Sequence, residues 1–336
     1  MKAALSLAAA LLCLSAATRA DGVSVSVTRH ADRIDFQVGN ELVTSYRIGA
    51  DVPKPYFYPL RAPGGTPVSR AWPIEKGLPG EVTDDHVHQK SAWWCHGDVI
   101  AEGLALKHKV RTADGIDFWS EPTGHGVIAC VGVDKADPSG VVTRNEWRTA
   151  DGQKVLDEVR TISFLPWGSG YLLAVRSELM ASAYPITFGD TKEGSFGIRV
   201  NDQLRVGDRK GRNPKSVIRN AEGKTTEKNC WGDQSAWCDY SGEVNGKMVG
   251  VAVFADPANK YPTCWHVRDY GLLAANPFGR TKSGFPAMKG RTDLVKMAKG
   301  ERLTFRYGIF AHTGAGEESA AKVAEAFERF KALGKD

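Results

Sequence analysis

Short alternating segments separated by turn signals recur along almost the whole chain, and this pattern constrains the fold more than any other feature. Residues 23–28, 33–38 and 42–48 alternate apolar and polar side chains, which is typical of half-buried strands. The pairs Asp151-Gly152 and Asn245-Gly246 are strong signals for tight hairpin turns. The 36 glycines and 16 prolines favour many short strands over long helices.

The same pattern continues to the end of the chain, where it gives way to one helix. Further strand-like segments cover residues 127–133, 141–149, 155–164, 171–180, 196–200, 236–243, 247–254 and 302–310. Over residues 317–333, Val323, Phe327 and Phe330 recur at helical spacing, which predicts an amphipathic helix. We therefore predict an all-β fold, a large antiparallel β-sandwich with a C-terminal helix, forming a single domain over residues 21–336.

The first twenty residues have the pattern of a secretory signal peptide. Lys2 gives a positive start, residues 3–17 are mostly apolar, and Ala20 ends the segment with a small side chain. This segment is too short for a stable membrane span. We expect residues 1–20 to be removed, and the mature protein to be soluble and exported to the periplasm or the extracellular space. No later segment is apolar enough to predict a membrane span.

Charge argues against a nucleic-acid partner. The formal net charge is +5, and removing Lys2 and Arg19 with the signal peptide leaves +3. This mild excess contains no basic cluster, whereas nucleic-acid binding usually requires one.

An odd number of cysteines remains after the signal peptide: Cys95, Cys130, Cys230, Cys238 and Cys264. At least one thiol should therefore be unpaired or intermolecular. Cys230 and Cys238 are close enough in sequence to bridge a hairpin, and none of the spacings matches a zinc motif.

The segment 84–98 concentrates side chains that a packed core rarely needs. Three of the eight histidines, His86, His88 and His96, lie within eleven residues of one another. In an extended strand His86 and His88 would share one face, and His96 has the same parity. Two such imidazoles can divide acid and base roles, or hold a divalent metal such as zinc or manganese. The alternative is that they are surface or hydrogen-bonded structural histidines.

Two further segments carry candidate site residues. Lys192, Glu193 and Arg199 combine a potential general base with two cations that could hold a carboxylate or an oxyanion; the alternative is a solvated polar turn. In residues 265–270, His266, Arg268 and Tyr270 would share one strand face, an arrangement that suits a polyhydroxylated ligand. A strand with one polar, solvent-facing side is the alternative there.

Nine tryptophans occur in the chain, and most should pack in the core or against hairpins. Trp94 and Trp119 are the candidates for stacking on a ligand, because they lie near the histidine segment.

These segments resemble a bacterial domain family labelled PmoA-like, or methane oxygenase PmoA. The resemblance is carried by Lys54-Pro-Tyr-Phe-Tyr-Pro-Leu, Asp85-His-Val-His, Trp93-Trp-Cys-His-Gly-Asp-Val, residues 190–199, residues 261–271, and Ala275-Asn-Pro-Phe-Gly. It spans about residues 40 to 312 and implies a galactose-mutarotase-like β-supersandwich, sugar chemistry and a family without an established function. A membrane methane oxygenase needs several transmembrane helices, so the oxygenase label does not suit this chain.

The chain departs from the family pattern at two places. Gln89 and Lys90 stand where the family usually has a further His and an Arg, so any role of that histidine is lost or moved. Residues 100–115 lengthen the connection before Asp117-Phe118-Trp119, which predicts a longer loop over the cleft and a substrate or activity that differs from typical members.

We therefore expect an exported carbohydrate-active enzyme, a lyase, hydrolase or epimerase acting on a sugar or keto-sugar. Proton transfer would fall to His86, His88, His96, Glu193 and His266, with His86 and His88 as possible metal ligands. Substrate binding would fall to Trp94, Trp119, Lys192, Arg199, Arg268, Asp269 and Asn276. The alternatives are a non-catalytic glycan-binding module using the same cleft, and a structural exported β-protein without a small ligand.

Overall fold

The computed structural model describes residues 15–18, 24–208 and 211–333. The predicted signal peptide covers residues 1–20, of which 1–14, 19 and 20 lie outside the described residues. Export and removal of this segment therefore stay predictions, as does the single domain over residues 21–336.

Short strands dominate the described chain. In chain order they are β1 (Ser15–Thr18), β2 (Ser24–Arg29), β3 (Arg33–Val38), β4 (Glu41–Arg47), β5 (Tyr56–Ala62), β6 (Thr66–Pro67), β7 (Ala92–His96), β8 (Val99–Ala101), β9 (Val127–Asp137), β10 (Gly140–Arg148), β11 (Lys154–Trp167), β12 (Gly170–Met180), β13 (Ile186–Phe188), β14 (Gly194–Arg199), β15 (Gly207–Asp208), β16 (Gly211–Arg212), β17 (Val217–Asn220), β18 (Trp237–Val244), β19 (Lys247–Ala255), β20 (Cys264–Arg268), β21 (Leu272–Asn276), β22 (Val295–Met297) and β23 (Arg302–Thr313). The helices are α1 (Glu227–Cys230) and α2 (Gly316–Ala332), with 3₁₀ turns at Asp202–Leu204 and Pro286–Met288.

Local turn chemistry explains several strand ends. Asn245 and Gly246 have positive φ angles of 51° and 78°, a left-handed backbone that these residue types tolerate best. They join β18 to β19 in an antiparallel hairpin, as the sequence predicts.

Two large antiparallel sheets form the sandwich. The first sheet has the order β1-β2-β3-β4-β5-β7-β14-β21-β20, with β6 paired to β5. The second has the order β17-β18-β19-β23-β12-β11-β10-β9. A three-stranded sheet (β22-β13-β8) and a two-stranded ribbon (β15-β16) flank them.

The inner faces of the two large sheets share one apolar core. Phe36 of the first sheet lies 5.6 Å from Phe164 of the second, measured between ring centroids. Trp94 similarly packs against Phe305 and Tyr307, at 5.6 and 5.7 Å. Side chains alternate between the faces of a strand, so the immediate neighbours of these residues lie on the other face of their sheet.

The C-terminal helix α2 covers the outer face of the second sheet. Its apolar side chains Val323, Phe327 and Phe330 are buried in a second cluster with Phe254 and Phe310 of the sheet. The predicted all-β fold, a large antiparallel β-sandwich with a C-terminal helix, is confirmed.

Among the described residues, the five cysteines, Cys95, Cys130, Cys230, Cys238 and Cys264, are free thiols. The bridge considered between Cys230 and Cys238 is therefore not formed; instead a hydrogen bond between these two thiols lowers the pKa of Cys230.

Within residues 15–18, 24–208 and 211–333, no helix has both the length and the apolar character needed to cross a membrane.

Candidate functional site

A polar cavity of about 520 Å³ lies on the first sheet, on the face turned away from the core. Strand β20 shows why: Trp265 and Val267 belong to the core, so the alternation of the strand directs His266 and Arg268 to the opposite face. The residues that line the cavity are His86, His88, Gln89, Thr112, Asp117, Trp119, Ser120, Lys192, Glu193, Glu227, His266, Arg268 and Tyr270. Three predicted segments therefore meet here, together with Thr112 of the lengthened connection before β9.

His86 and His88 reach the cavity from a turn and not from a strand, so the extended conformation predicted for them is wrong. The Gln89 amide donates to the His86 carbonyl at 2.8 Å, and His86 has a left-handed φ of 48°. The two imidazoles still lie near each other, edge to face, with ring centroids 5.8 Å apart.

Two buried arginines hold this turn against the sheet. Arg70 donates to the backbone carbonyls of Asp85, His86 and Gln89. Arg199 donates to the Gln89 side-chain oxygen at 2.7 Å and to the Asp85 carboxylate at 2.8 Å. Arg199 was predicted to bind substrate, but it does not line the cavity. It lies behind the turn, where both of its terminal nitrogens donate to the turn.

Glu193 directly precedes β14, and its backbone is held by two hydrogen bonds. Its carbonyl accepts from the Gly97 amide at 2.7 Å and its amide donates to Thr191 Oγ1 at 3.1 Å. In the described chain its carboxylate makes no hydrogen bond or ion pair. Burial raises the pKa of Glu193, and the nearby Lys192 charge offsets part of that effect. Glu193 is therefore a cavity carboxyl that is easier to protonate than an ordinary glutamate.

Strand β20 and the short helix α1 form the opposite wall. Arg268 donates from Nη1 to Glu227 Oε1 at 2.8 Å and from Nε to His266 Nε2 at 3.4 Å. His266 is 2% exposed, and burial together with the Arg268 and Lys192 charges lowers its pKa to about 3. His266 is therefore neutral near pH 7, with Nε2 acting as the acceptor.

His88 is also neutral for an electrostatic reason. Burial and the Lys54 charge lower its pKa to about 3. Lys54 is buried beneath the cavity, where its ammonium donates to Glu121 at 2.9 Å and to the Trp119 carbonyl at 3.0 Å. Two of the predicted histidines thus offer neutral imidazoles to a ligand.

His96 and Trp94 are placed away from the cavity, which corrects their predicted roles. Both lie on the inner face of β7: Trp94 is 2% exposed and His96 is fully buried. His96 Nε2 is 2.9 Å from the Gly189 carbonyl, and its ring packs edge-on against Phe278, with centroids 4.7 Å apart. Neither side chain can touch a molecule in the cavity from this position.

Asn276 and Asp269 also lie outside the cavity lining. Both make hydrogen bonds to segments that form its walls. Asn276 Nδ2 donates to the carbonyls of Thr191 and Lys192 at 2.9 and 3.2 Å. The Asp269 amide donates to Glu227 Oε2 at 2.7 Å. These contacts hold the Lys192–Glu193 segment and the Glu227 carboxylate in place.

Trp119 lines the cavity but presents little surface to it. Its side chain is 1% exposed and packs edge-on against Trp93, with centroids 5.0 Å apart. Trp119 is thus a wall of the cavity and not an open stacking platform.

His86 and His88, predicted as possible ligands of one metal ion, have no third protein ligand beside them among the described residues. Among the described residues, no group of three or more His, Cys, Asp or Glu side chains could hold a metal ion. The carboxylate nearest to His86 belongs to Asp85, which already accepts from Arg70 and Arg199 at 2.9 and 2.8 Å. No step is therefore assigned to a metal here.

Sequence reasoning missed Glu227. Glu227 pairs with Arg268, 41 positions away, and nothing in its local sequence marks it. Tyr270, predicted on the same face as His266 and Arg268, also lines the cavity, and its ring stacks on His86, with centroids 5.3 Å apart.

Fold and site together define a β-sandwich protein with a polar cavity lined by imidazoles and carboxylates. The chain belongs to a family of unknown function, DUF6807, whose model matches residues 33–328. This agrees with the expectation of a family without an established function, and it lends no support to the PmoA-like name.

None of the curated proteins is significantly similar to the chain in sequence. Among solved structures, a putative aldose 1-epimerase from Escherichia coli K12 is similar at a TM-score of 0.37 and 11% identity, covering 90% of this chain and 99% of that one. A 4-alpha-glucanotransferase from Thermococcus litoralis is similar at a TM-score of 0.28 and 11% identity, covering 90% and 39%. At these scores neither likeness bears on the activity of this chain.

Proposed function

We propose that the cavity is the active site of a carbohydrate-active enzyme that binds a sugar or keto-sugar and transfers protons through Glu193. The observation that supports this proposal is the state of the Glu193 carboxyl. It lines the cavity, its pKa is raised by burial, and within the described residues no side chain or amide occupies its oxygens. A carboxyl in this state is suited to general acid–base catalysis, because a raised pKa makes it easier to protonate than an ordinary glutamate.

The other cavity groups complement a polyhydroxylated substrate. Neutral His88 can both donate and accept a hydrogen bond, as sugar hydroxyls do, whereas the Nε2 acceptor of His266 is already engaged by Arg268. Lys192 and Arg268 place positive charge beside Glu193, where it would stabilise an oxyanion formed during proton transfer.

The cavity favours proton abstraction, as in a lyase or epimerase, over hydrolysis by two carboxylates. Hydrolysis of that kind needs a second free carboxyl opposite the first. Asp117 Oδ1 is held by the amides of Trp119 and Ser120, at 2.7 and 3.0 Å. Glu227 is held by Arg268 and the Asp269 amide, so Glu193 has no free carboxylate partner among the described lining residues.

A non-catalytic glycan-binding module is less well supported. Such a module relies on aromatic faces open to the sugar, whereas Trp94 and Trp119 are 2% and 1% exposed. The PmoA-like resemblance, the exported location and the sugar ligand stay parts of the proposal.

Turnover by Glu193→Gln tests the proposal. The amide keeps the shape of the side chain but cannot exchange a proton, so turnover of a sugar substrate should fall by roughly 10²-fold or more, with binding little changed. The wild type is first screened against mono- and disaccharides and their keto derivatives. Glu325→Gln on the exposed face of α2 is the matched control and should keep full activity.

The opposite result has a clear form. Binding of a sugar without any product from the wild type, at an affinity that Glu193→Gln retains, would replace the enzyme by a binding module.

A further inference from the structure

The Asp85–His86 pair at the edge of the cavity places a carboxylate within ion-pair distance of an imidazole nitrogen. His86 Nδ1 lies 3.3 Å from Asp85 Oδ1. In the described chain, no hydrogen bond engages His86 Nε2, the nitrogen on the other side of the ring. His86 lines the cavity, whereas Asp85 does not.

Two buried guanidiniums fix the Asp85 carboxylate from behind. Arg70 Nη1 and Arg199 Nη2 donate to its Oδ1 at 2.9 and 2.8 Å, and both arginine side chains are fully buried. Burial opposes ionisation of Asp85, but the hydrogen bond with His86 and the two positive charges outweigh it and lower its pKa. Asp85 is therefore an anion at neutral pH and can only accept from the imidazole.

The ring of His86 also packs against an aromatic side chain. It stacks on Tyr270 with an angle of 6° between the planes, and the Arg199 guanidinium lies 4.7 Å from the centroid of the same tyrosine ring. Arg199 thus contacts both the carboxylate and the aromatic support of His86.

We propose that Asp85 is a positioning residue that favours the Nδ1–H tautomer of His86, and that His86 Nε2 is the second proton-transfer atom of the cavity beside Glu193. The second part of this inference rests on the proposed function. A substrate hydroxyl would give its proton to the Nε2 lone pair, and the electron pair of the broken O–H bond would stay on oxygen. Asp85 would then offset the charge of the imidazolium, as the hydrogen bond to the other ring nitrogen usually does.

A purely structural role for Asp85 is the competing explanation, because the carboxylate also neutralises Arg70 and Arg199. The tautomer of His86 separates the two, since anchoring the turn does not require a particular tautomer. Long-range proton–nitrogen NMR on ¹⁵N-labelled protein, above the pH at which histidines are protonated, reports which ring nitrogen carries the proton. Loss of one set of signals in His86→Gln assigns the residue.

His125 provides an internal reference. Its Nδ1 lies 2.7 Å from the Gly126 carbonyl, which can only accept, so His125 should appear as Nδ1–H in every variant. We expect His86 to be Nδ1–H in the wild type and a mixture in Asp85→Ala. Asp85→Asn keeps an oxygen acceptor without the charge, so it should retain the tautomer but not the support of the imidazolium.

Activity completes the test once a substrate is found. Both Asp85 variants should lower kcat by about tenfold or more with little change in KM, within the usual worth of acid–base catalysis. An Nε2–H tautomer in the wild type, or the same tautomer in the wild type and Asp85→Ala, would overturn the positioning role; the wild-type spectrum decides even where a variant does not fold. The expected tautomer with unchanged kcat would overturn the proton-transfer role. Failure of the proposed function would leave the tautomer result standing, so the two failures are distinguishable.

Discussion

Replacing Asn276 by aspartate should disable the cavity from outside it. Asn276 is 1% exposed and links two segments. Its Nδ2 donates to the carbonyls of Thr191 and Lys192, and its Oδ1 accepts from the amides of Phe278 and Gly279, both at 2.9 Å. Aspartate keeps the acceptor side, whereas its second oxygen would face two carbonyl oxygens. The Lys192–Glu193 segment should therefore separate from β21.

The size of the effect follows from the groups left without a partner. An unsatisfied buried polar group costs about 1–3 kcal/mol, and the two carbonyls belong to half-buried residues, so the lower end applies to each. Repulsion from a buried carboxylate adds to this, and we expect a total loss of about 3 kcal/mol in the free energy of unfolding. Urea unfolding followed by tryptophan fluorescence measures it, and turnover per folded molecule should fall further because Glu193 moves.

Asn259→Asp is the matched control. Asn259 makes a similar pair of backbone hydrogen bonds, to the Arg306 carbonyl at 3.0 Å and from the Arg306 amide at 2.8 Å, and it does not line the cavity. It should lose stability while keeping turnover per folded molecule. Equal effects of the two substitutions on turnover, or a stable Asn276→Asp with full activity, would refute the positioning argument.

Two further predictions concern stability. The pKa of His266 is lowered to about 3 from an ordinary value of 6.5, so between these pH values the unfolded chain binds more protons than the folded chain. The free energy of unfolding should therefore fall as the pH drops below about 6.5, by up to roughly 2 kcal/mol at pH 5. Urea unfolding at pH 7 and pH 5 should show a smaller loss in His266→Gln than in the wild type; an equal loss would contradict the sign. Glu158 is buried and accepts from Arg160 at 2.8 and 2.9 Å, so Glu158→Gln should cost about 3–5 kcal/mol, whereas Glu146→Gln at the part-exposed pair with Arg148 should cost less than about 1 kcal/mol. Similar losses of stability in the two variants would show that burial does not increase the contribution of the Glu158–Arg160 pair.

Local patterns were sufficient for those parts of the protein whose structure depends on near neighbours. The hairpin at Asn245 and Gly246 follows from residues that accept a left-handed backbone. The helix predicted over residues 317–333 forms as Gly316–Ala332, because its apolar spacing matches the helical period. The shared face of His266 and Arg268 follows from strand alternation in the same way.

Tertiary structure alone decided which strand faces point to the cavity and what holds its loops. Alternation groups Trp94 with His96, but only the packing of β7 against Phe305 and Tyr307 of the second sheet turns that face inward. The turn at His86 is held by Arg70 and Arg199, which are distant in sequence. They donate hydrogen bonds to its backbone carbonyls and to the Asp85 carboxylate. Strand alternation shows which side chains share a face. Which of the two faces meets the core depends on the sheet that packs against the strand, and that sheet is formed by residues distant in sequence.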